Sequence, residues 1–300
     1  MADRTAVLVV GLVAGFAVGR SFVPQPDVPP PIIAAPADVP GSGVATPAAV
    51  AAPAAPAVSP PAGVERAVVE RVARTGVVRV GVFGDSFGVG VWDALYRLLP
   101  ESEGYEVLRF SREATGFTRY RVDDLEKRAR EQLAANPVDA AVISLGVNDA
   151  QDMWDGKLYP FMSDGWKQVV GDRVDRFVAV ARSTGARVYW VGLPAMRDPA
   201  LDAKVQALNG FFAAHMARLG VTFIDTRRLS VDPQGRYASH LPDPRSGTPR
   251  LVRTGDGIHM IGIGYQRIVA EAVAAIRRYA AQVREAAHRP VPAAPPEGAR

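Results

Sequence analysis

The chain has 300 residues, a net charge of +4 at neutral pH and no cysteine. The lack of cysteine excludes disulfides, zinc–thiolate sites and cysteine nucleophiles. The basic residues form neither a block nor a stripe with interleaved aromatics, so the sequence does not predict nucleic-acid binding.

Proline is concentrated at both ends of the chain. Twelve of the 25 prolines lie between residues 24 and 61, and four lie between residues 290 and 296. Such composition is typical of extended spacers and not of a packed core. We therefore predict a Pro/Ala-rich linker over residues 24–63, one domain over residues 64–289 and a disordered tail over residues 290–300.

Residues 1–23 have the pattern of an export signal. Arg4 is followed by an uncharged, mostly apolar run from residue 5 to residue 19. This run is shorter than the roughly 20 apolar residues that cross a bilayer, and it is typical of a secretory signal peptide. Arg20 leaves an uncleaved membrane anchor open as an alternative. Either form predicts a periplasmic or cell-envelope protein that contacts the membrane only through this segment.

Predicted strands and helices alternate along the domain. Residues 64–75 have the apolar spacing of a helix, and residues 77–83 form the first buried strand. Further strands are predicted at residues 106–111, 139–145, 187–193 and 221–225, with helices at residues 88–99, 121–135, 167–184, 199–219 and 261–288. This alternation predicts an α/β fold, a three-layer sandwich in which helices cover both faces of a five-stranded parallel sheet.

Two long segments lack a clear period. Residues 226–255 contain several prolines and arginines, and a loop of this length in a compact domain indicates a functional or flexible segment. Residues 153–166 are rich in aromatics. Their Trp154, Tyr159 and Trp166 are candidates for a wall that stacks on sugar rings, while packing of these side chains within a closed flap is an equal alternative.

Polar residues and glycines follow the carboxyl ends of the predicted strands. Ser86 comes after the first strand, Gly116 after the second and Asn148 after the third, while Asp256 and His259 precede the last helix. The carboxyl ends of parallel strands meet at one edge of a sheet, where α/β proteins bind their ligands. We therefore expect these five residues to lie close together.

These residue types suit attack on an ester by serine. That chemistry needs a base within hydrogen-bond reach of the hydroxyl, an acid that orients the base, and donors for the oxyanion. Residues 256–259, DGIH, contain a candidate orienting acid and a candidate base three positions apart. The Asn148 amide and the backbone N–H groups of Ser86 and Gly116 are candidate donors.

Each residue also has a simpler interpretation. Ser86 suits the N-cap of a helix, and Asn148 suits an ordinary turn. Gly116 suits a backbone position with positive φ, Asp256 suits a cap on the last helix, and a single His259 is often structural. The occurrence of all five in one order favours a catalytic site.

Four sequence blocks together resemble the SGNH (GDSL-type) hydrolase family. They are GDS at residues 84–86, Gly116, GVND at residues 146–149 and DGIH at residues 256–259, in the order of the family's own blocks. The resemblance covers most of residues 77–275 and is nearest to an exported, envelope-associated branch.

The resemblance implies a flavodoxin-like sandwich with a defined set of site residues. It implies a nucleophile at Ser86, a base at His259 and an orienting acid at Asp256. It further implies an oxyanion hole formed by Ser86, Gly116 and Asn148. We expect no cofactor and no metal.

The export pattern and the resemblance together predict a serine esterase of the cell envelope. Its expected substrates are O-acetyl groups on a glycan or peptidoglycan. A glycan O-acyltransferase, an esterase of lipid or small aryl esters, and a non-catalytic envelope binding protein stay open, as does the oligomeric state. A metal-dependent phosphoesterase is disfavoured, because His215 is expected within a helix and His288 at the end of the domain.

Overall fold

The structure is a computed structural model that describes residues 63–288. The predicted export segment, residues 1–23, the linker up to residue 62 and the tail over residues 290–300 lie outside the described residues. Among the helices of residues 63–288, none has the length and apolar character needed to cross a membrane.

The described chain alternates between strands and helices as follows. The strands are β1 (Val78–Gly84), β2 (Tyr105–Arg109), β3 (Ala140–Ser144), β4 (Met153–Trp154), β5 (Leu158–Tyr159), β6 (Arg187–Val191), β7 (Thr222–Ile224), β8 (His240–Pro242) and β9 (Pro249–Leu251). The α-helices are α1 (Arg66–Thr75), α2 (Ser86–Leu98), α3 (Leu125–Ala135), α4 (Asp164–Ala181), α5 (Pro199–Arg218), α6 (Gly262–Ile268) and α7 (Ala270–His288). Short 3-10 turns lie at Glu101–Glu103, Phe117–Arg119, Val147–Asp149 and Arg227–Leu229.

Five parallel strands form the central sheet in the order β2-β1-β3-β6-β7. Helices α1, α2, α6 and α7 contribute to one buried core, while α3, α4 and most of α5 contribute to the other. The sheet lies between these two layers, which confirms the predicted three-layer α/β fold.

The strands have apolar residues on both faces because both faces are buried. Val80 and Val82 of β1 enter the core under α2, whereas Phe83 enters the core under α4. In β3 all five residues are buried, and alternate side chains again enter opposite cores. Because the strands are also parallel, their carboxyl ends meet at one edge of the sheet. This is the edge at which we expected the candidate residues after successive strands to lie.

Some boundaries differ from the predicted ones. Helix α2 begins at Ser86 instead of residue 88, because the Asp85 side chain caps it by accepting from the Phe87 N–H. Helix α3 begins later than predicted, at Leu125, because Asp124 caps it in the same way. The last predicted helix is divided into α6 and α7 at Val269.

The two segments without a clear period each contain a short antiparallel hairpin. Strands β4 and β5 pair in the first segment, and β8 and β9 pair in the second. Gly156 and Gly247, which lie between the paired strands, have φ of 75° and 70° and so supply the left-handed conformation of these turns. Strands of two or three residues are too short to show alternation in the sequence.

Helix α2 approaches β3 closely at Gly84. A Cβ at this position would lie 2.4 Å from the backbone oxygen of Ser144 and 2.6 Å from the Cα of Gly88. Neither backbone atom can move without displacing a strand or a helix. A residue without a side chain is therefore required directly before Asp85 and Ser86.

We expect Gly84→Ala to lower the free energy of unfolding by at least about 1–3 kcal/mol, the usual cost of overpacking a core. Gly210→Ala is the matched control, because Gly210 lies within α5 and its added Cβ would meet nothing within 4 Å apart from its own chain neighbours and the backbone of its helix. The control should gain roughly 0.5–1 kcal/mol from helix propensity. Urea unfolding of both variants measures the difference, and equal effects would contradict the close approach at Gly84.

Candidate active site

Ser86 is the first residue of α2 and directly follows the sharp turn at the end of β1. Its hydroxyl is partly exposed, while Asp85 before it and Phe87 after it are buried. Asp85, not Ser86, is the N-cap of the helix, with its carboxylate 2.8 Å from the Phe87 N–H. The interpretation of Ser86 as the cap is therefore wrong, and its hydroxyl is available for another partner.

The Ser86 hydroxyl contacts a histidine that lies 173 positions further along the chain. Ser86 Oγ is 2.9 Å from Nε2 of His259, and Nδ1 of His259 is 2.7 Å from Oδ2 of Asp256. With its proton on Nδ1 donated to the carboxylate, the imidazole has a free acceptor at Nε2 for the serine proton. The arrangement is that of a nucleophile, a general base and an orienting acid.

Asp256 is held as a carboxylate by four donors. Its Oδ1 accepts from the Thr254 hydroxyl at 2.6 Å and from the N–H groups of Ile258 and His259 at 2.8 and 3.0 Å. Partial burial raises the pKa of Asp256, but hydrogen bonds from Thr254, His259 and Ile258 outweigh it and lower that pKa below its usual range. Since α6 starts only at Gly262, Asp256 caps no helix.

Asn148 lies in the 3-10 turn that follows β3, with its side chain partly exposed. Its Nδ2 donates to the backbone oxygen of Thr115 at 2.8 Å, which fixes the orientation of the amide. A side-chain amide carries two N–H donors, so the second one stays available for a ligand. The structure thus joins the turn after β3 to the loop after β2.

Gly116 lies in that loop with an extended backbone, at φ 172° and ψ 162°. The interpretation that Gly116 serves a positive φ is therefore wrong. A Cβ at this position would lie 2.7 Å from Oδ1 of Asp149, so a buried carboxylate next to the chain excludes a side chain here. Within residues 63–288, the backbone N–H groups of Gly116 and Ser86 form no hydrogen bond. Both are available as donors to a ligand.

Two buried carboxylates connect the segments that carry the candidate donors. Asp85 accepts from the Phe87 N–H of α2 and, at 3.4 Å, from the Gly146 N–H of the turn after β3. Asp149 of the same turn accepts from the N–H and the hydroxyl of Thr118 in the loop after β2, both at 2.8 Å. The three segments are therefore fixed to one another beneath the site.

Burial raises the pKa of Asp85 to about 6; the hydrogen bond from Phe87 opposes this rise, and the nearby charge of Asp149 adds to it. Burial likewise raises the pKa of Asp149 against the hydrogen bonds from Thr118. The sequence offered no direct signal for this pair beyond its position beside Ser86 and Asn148.

We expect Asp85→Asn to change how stability depends on pH. Between the unfolded value near 3.8 and about 6, folded wild type binds a proton at Asp85 that the unfolded chain releases. Its free energy of unfolding therefore falls as pH rises through this window, by about 3 kcal/mol in all, and then levels off. The variant lacks this contribution. Urea unfolding of both proteins from pH 4 to 7.5 measures it, and a constant difference between them would contradict the raised pKa.

The aromatic residues of the candidate sugar wall have three different environments. Trp154 is 59 % exposed, and Tyr159 is half-buried with Lys157 5.1 Å from its ring centre. Trp166 is fully buried, and its Nε1 donates to the backbone oxygen of Gln151. The prediction that Trp166 binds substrate is therefore wrong, since a ligand cannot reach its ring. Packing within the domain, the alternative interpretation, describes Trp166.

Further histidine ligands for a metal are not gathered at the site. His215 lies in α5, where its ring contacts Asp175 and Arg218. His288 is the last residue of α7. Across residues 63–288, no three side chains of the His, Asp, Glu or Cys type are grouped so that they could hold a metal ion.

The resemblance carried by the four sequence blocks implies two features that the structure has. One is the five-stranded parallel sheet, and the other is the contact of His259 with Ser86 and Asp256 at its carboxyl edge. The structure therefore confirms the resemblance to the SGNH (GDSL-type) hydrolases. Residues 79–275 match the family described as "Protein of unknown function (DUF459)". This match spans well over half of the chain, and the chain belongs to that family. Among curated proteins, none matches the sequence.

Several solved structures are similar to the chain. One is a member of the lipolytic protein G-D-S-L family from Veillonella parvula, with 14 % identity, 67 % of this chain and 100 % of that chain covered, and a TM-score of 0.48. A carbohydrate acetylesterase from Sinorhizobium meliloti has 16 % identity, coverage of 67 % and 99 %, and a TM-score of 0.47. An aryl esterase from M. smegmatis has 16 % identity, coverage of 67 % and 99 %, and a TM-score of 0.46. At these values the similarities carry no information about activity.

Proposed function

We propose that the domain is a serine esterase that hydrolyses carboxylic esters through Ser86, His259 and Asp256. The observation that carries this proposal is the pair of contacts of His259, which lies 2.9 Å from the Ser86 hydroxyl and 2.7 Å from the Asp256 carboxylate. Neither contact is needed for packing, because the side chains of His259 and Asp256 are 33 % and 44 % exposed.

In the first step, Ser86 Oγ attacks the ester carbonyl carbon while Nε2 of His259 takes the hydroxyl proton. The Asp256 carboxylate accepts the hydrogen bond from Nδ1 and stabilises the imidazolium that forms. The tetrahedral intermediate then expels the alcohol, which takes the proton from Nε2 and leaves an acyl group on Ser86. Water, deprotonated by His259, repeats the sequence and releases the carboxylic acid.

The oxyanion of each tetrahedral intermediate has three candidate donors. They are the backbone N–H groups of Ser86 and Gly116 and the free N–H of the Asn148 amide. Ser86 also begins α2, so the positive end of the helix dipole lies beside the developing charge. Donors that are already fixed before reaction stabilise the transition state without reorganisation, and this is the role that we assign to the segments joined by Asp85 and Asp149.

The proposed substrates are O-acetyl groups on a glycan or peptidoglycan of the cell envelope. The openness of the site supports a polymeric substrate, because an ester on a large chain can reach a histidine that is one-third exposed. Trp154 and Leu158, paired across the β4–β5 hairpin, are both more than half exposed, and an indole face suits the apolar face of a sugar ring. The proposed envelope location is supported only by the sequence, through the export pattern of residues 1–23 and the linker that follows.

Transfer of the acyl group to a glycan hydroxyl uses the same acyl-enzyme and is the second candidate. The exposure of His259 supports hydrolysis, because it leaves the base open to water, which far exceeds any sugar hydroxyl in concentration. A non-catalytic binding protein would not require the two hydrogen bonds of the histidine.

We expect Ser86→Ala to lower kcat for p-nitrophenyl acetate by about 10⁴-fold or more, since loss of the nucleophile removes the covalent pathway. Ser183→Ala is the matched control, because Ser183 is an exposed serine just after α4. Both variants should unfold at the wild-type temperature. Wild type should also be labelled by a fluorophosphonate on Ser86. Full activity in a folded Ser86→Ala protein would exclude the serine mechanism.

Asn148→Ala should lower kcat by about 10²–10³-fold with little change in KM, the usual effect of one lost oxyanion donor. Asn148→Asp is the sharper variant, because it keeps the size of the side chain but presents acceptors where the amide donates, both to Thr115 and to the oxyanion. Thermal unfolding separates this effect from simple loss of the turn. A stable Asn148→Asp enzyme with normal kcat would refute the assigned role.

A further inference from the structure

Arg253 is a buried cation directly before the turn that carries His259. Arg253 is only 1 % exposed. One guanidinium nitrogen donates to the backbone oxygen of Ala195 at 2.6 Å, and another donates to the backbone oxygen of Ile258 at 3.1 Å. Nε is buried without a partner, and the guanidinium carbon lies 5.1 Å from the ring centre of Tyr237. Within the described domain, Arg253 forms no ion pair with a carboxylate.

This arrangement is unfavourable for stability alone. Burial of a cation costs several kcal/mol even after relaxation, and two neutral carbonyl oxygens compensate it less than a carboxylate does. Burial accordingly lowers the pKa of Arg253. An apolar side chain of similar volume would fill the same space at no such cost. The contacts of the guanidinium therefore point to a role in the site.

The Ala195 oxygen belongs to a segment that several hydrogen bonds hold in place. The segment after β6 is bound by the Asn209 side chain, which contacts both the N–H and the oxygen of Leu193. The Ser230 hydroxyl accepts from the Ala195 N–H at 3.0 Å. Arg253 connects this rigid segment to Ile258, the residue before His259. The turn that carries His259 is therefore fixed from beneath as well as by Asp256.

Two arginines lie against the turn of residues 254–259. The exposed side chain of Arg197 lies next to Gly257, whereas Arg253 is buried and donates to the Ile258 oxygen.

We propose that Arg253 is a positioning residue for His259. Its guanidinium fixes the Ile258 carbonyl so that the imidazole of His259 faces Ser86. The proposal rests on the proposed serine mechanism for its effect on catalysis. The effect of Arg253 on the position of the His259 ring does not depend on catalysis.

The test compares Arg253→Met and Arg253→Gln, which remove the charge, with Arg253→Lys, which keeps it. The control is Arg250→Met, because Arg250 is exposed on β9 and its side chain forms no hydrogen bond or ion pair within residues 63–288. For each full-length protein, kcat and KM for p-nitrophenyl acetate are measured separately. NMR contacts between the His259 ring and the Ser86 side chain are measured on the same proteins.

We expect the neutral variants to lower kcat on the order of tenfold or more with little change in KM, through misplacement of the His259 ring. Arg253→Lys, which keeps one cationic donor, should lose only part of kcat. The control should change neither quantity.

A purely structural Arg253 would give a different result. The neutral variants would then unfold at lower temperature while kcat of the folded enzyme and the contacts of the His259 ring with Ser86 stayed at wild-type values, which would overturn the proposal. If Arg253→Met does not fold, Arg253→Gln, which keeps a side-chain donor, provides the same comparison. An inactive wild type would refute the proposed function, while the NMR contacts would still decide whether Arg253 positions the His259 ring.

Discussion

The hydrogen bonds of the buried Asp85 carboxylate determine how the whole site is assembled. One oxygen accepts from the first turn of α2, which carries Ser86, and the other accepts from Gly146 in the turn that carries Asn148. Asp149 continues this connection to the loop of Gly116 through Thr118. Both carboxylates are fully buried, and burial raises the pKa of each. The fixed geometry of the donors therefore comes at a cost in stability near neutral pH.

The fold and most of the site could be predicted because their signals are local. Apolar runs closed by glycine or proline mark the parallel strands, and residues just after strand ends must share one edge of the sheet. This reasoning brings Ser86 and Asn148 together without any knowledge of distances, whereas His259, which precedes the last helices, joins them through its residue type and the order of the sequence blocks. It misses the start of α2 by two residues, because the side chain of Asp85 takes the capping role that Ser86 also suits.

The remaining features depend on contacts between distant parts of the chain. Trp166 and Trp154 lie in the same aromatic-rich segment of the sequence, but one ring packs in the core and the other faces solvent. Gly116 suggested a positive φ, whereas its actual constraint is the Asp149 carboxylate beside it. Arg253 resembles a surface residue of an irregular loop until its burial is known. No periodicity distinguishes these cases, because each depends on what a remote segment places next to the residue.

The two ends of the described chain meet the domain on the side opposite the site. The Gly63 oxygen accepts from the side chain of Arg187, the first residue of β6. Near the other end, Arg284 donates to the oxygen of Gly104, just before β2 begins. Both contacts lie at the amino edge of the sheet, whereas Ser86 follows the carboxyl end of β1. The chain therefore enters and leaves the described domain at the edge of the sheet that does not carry Ser86.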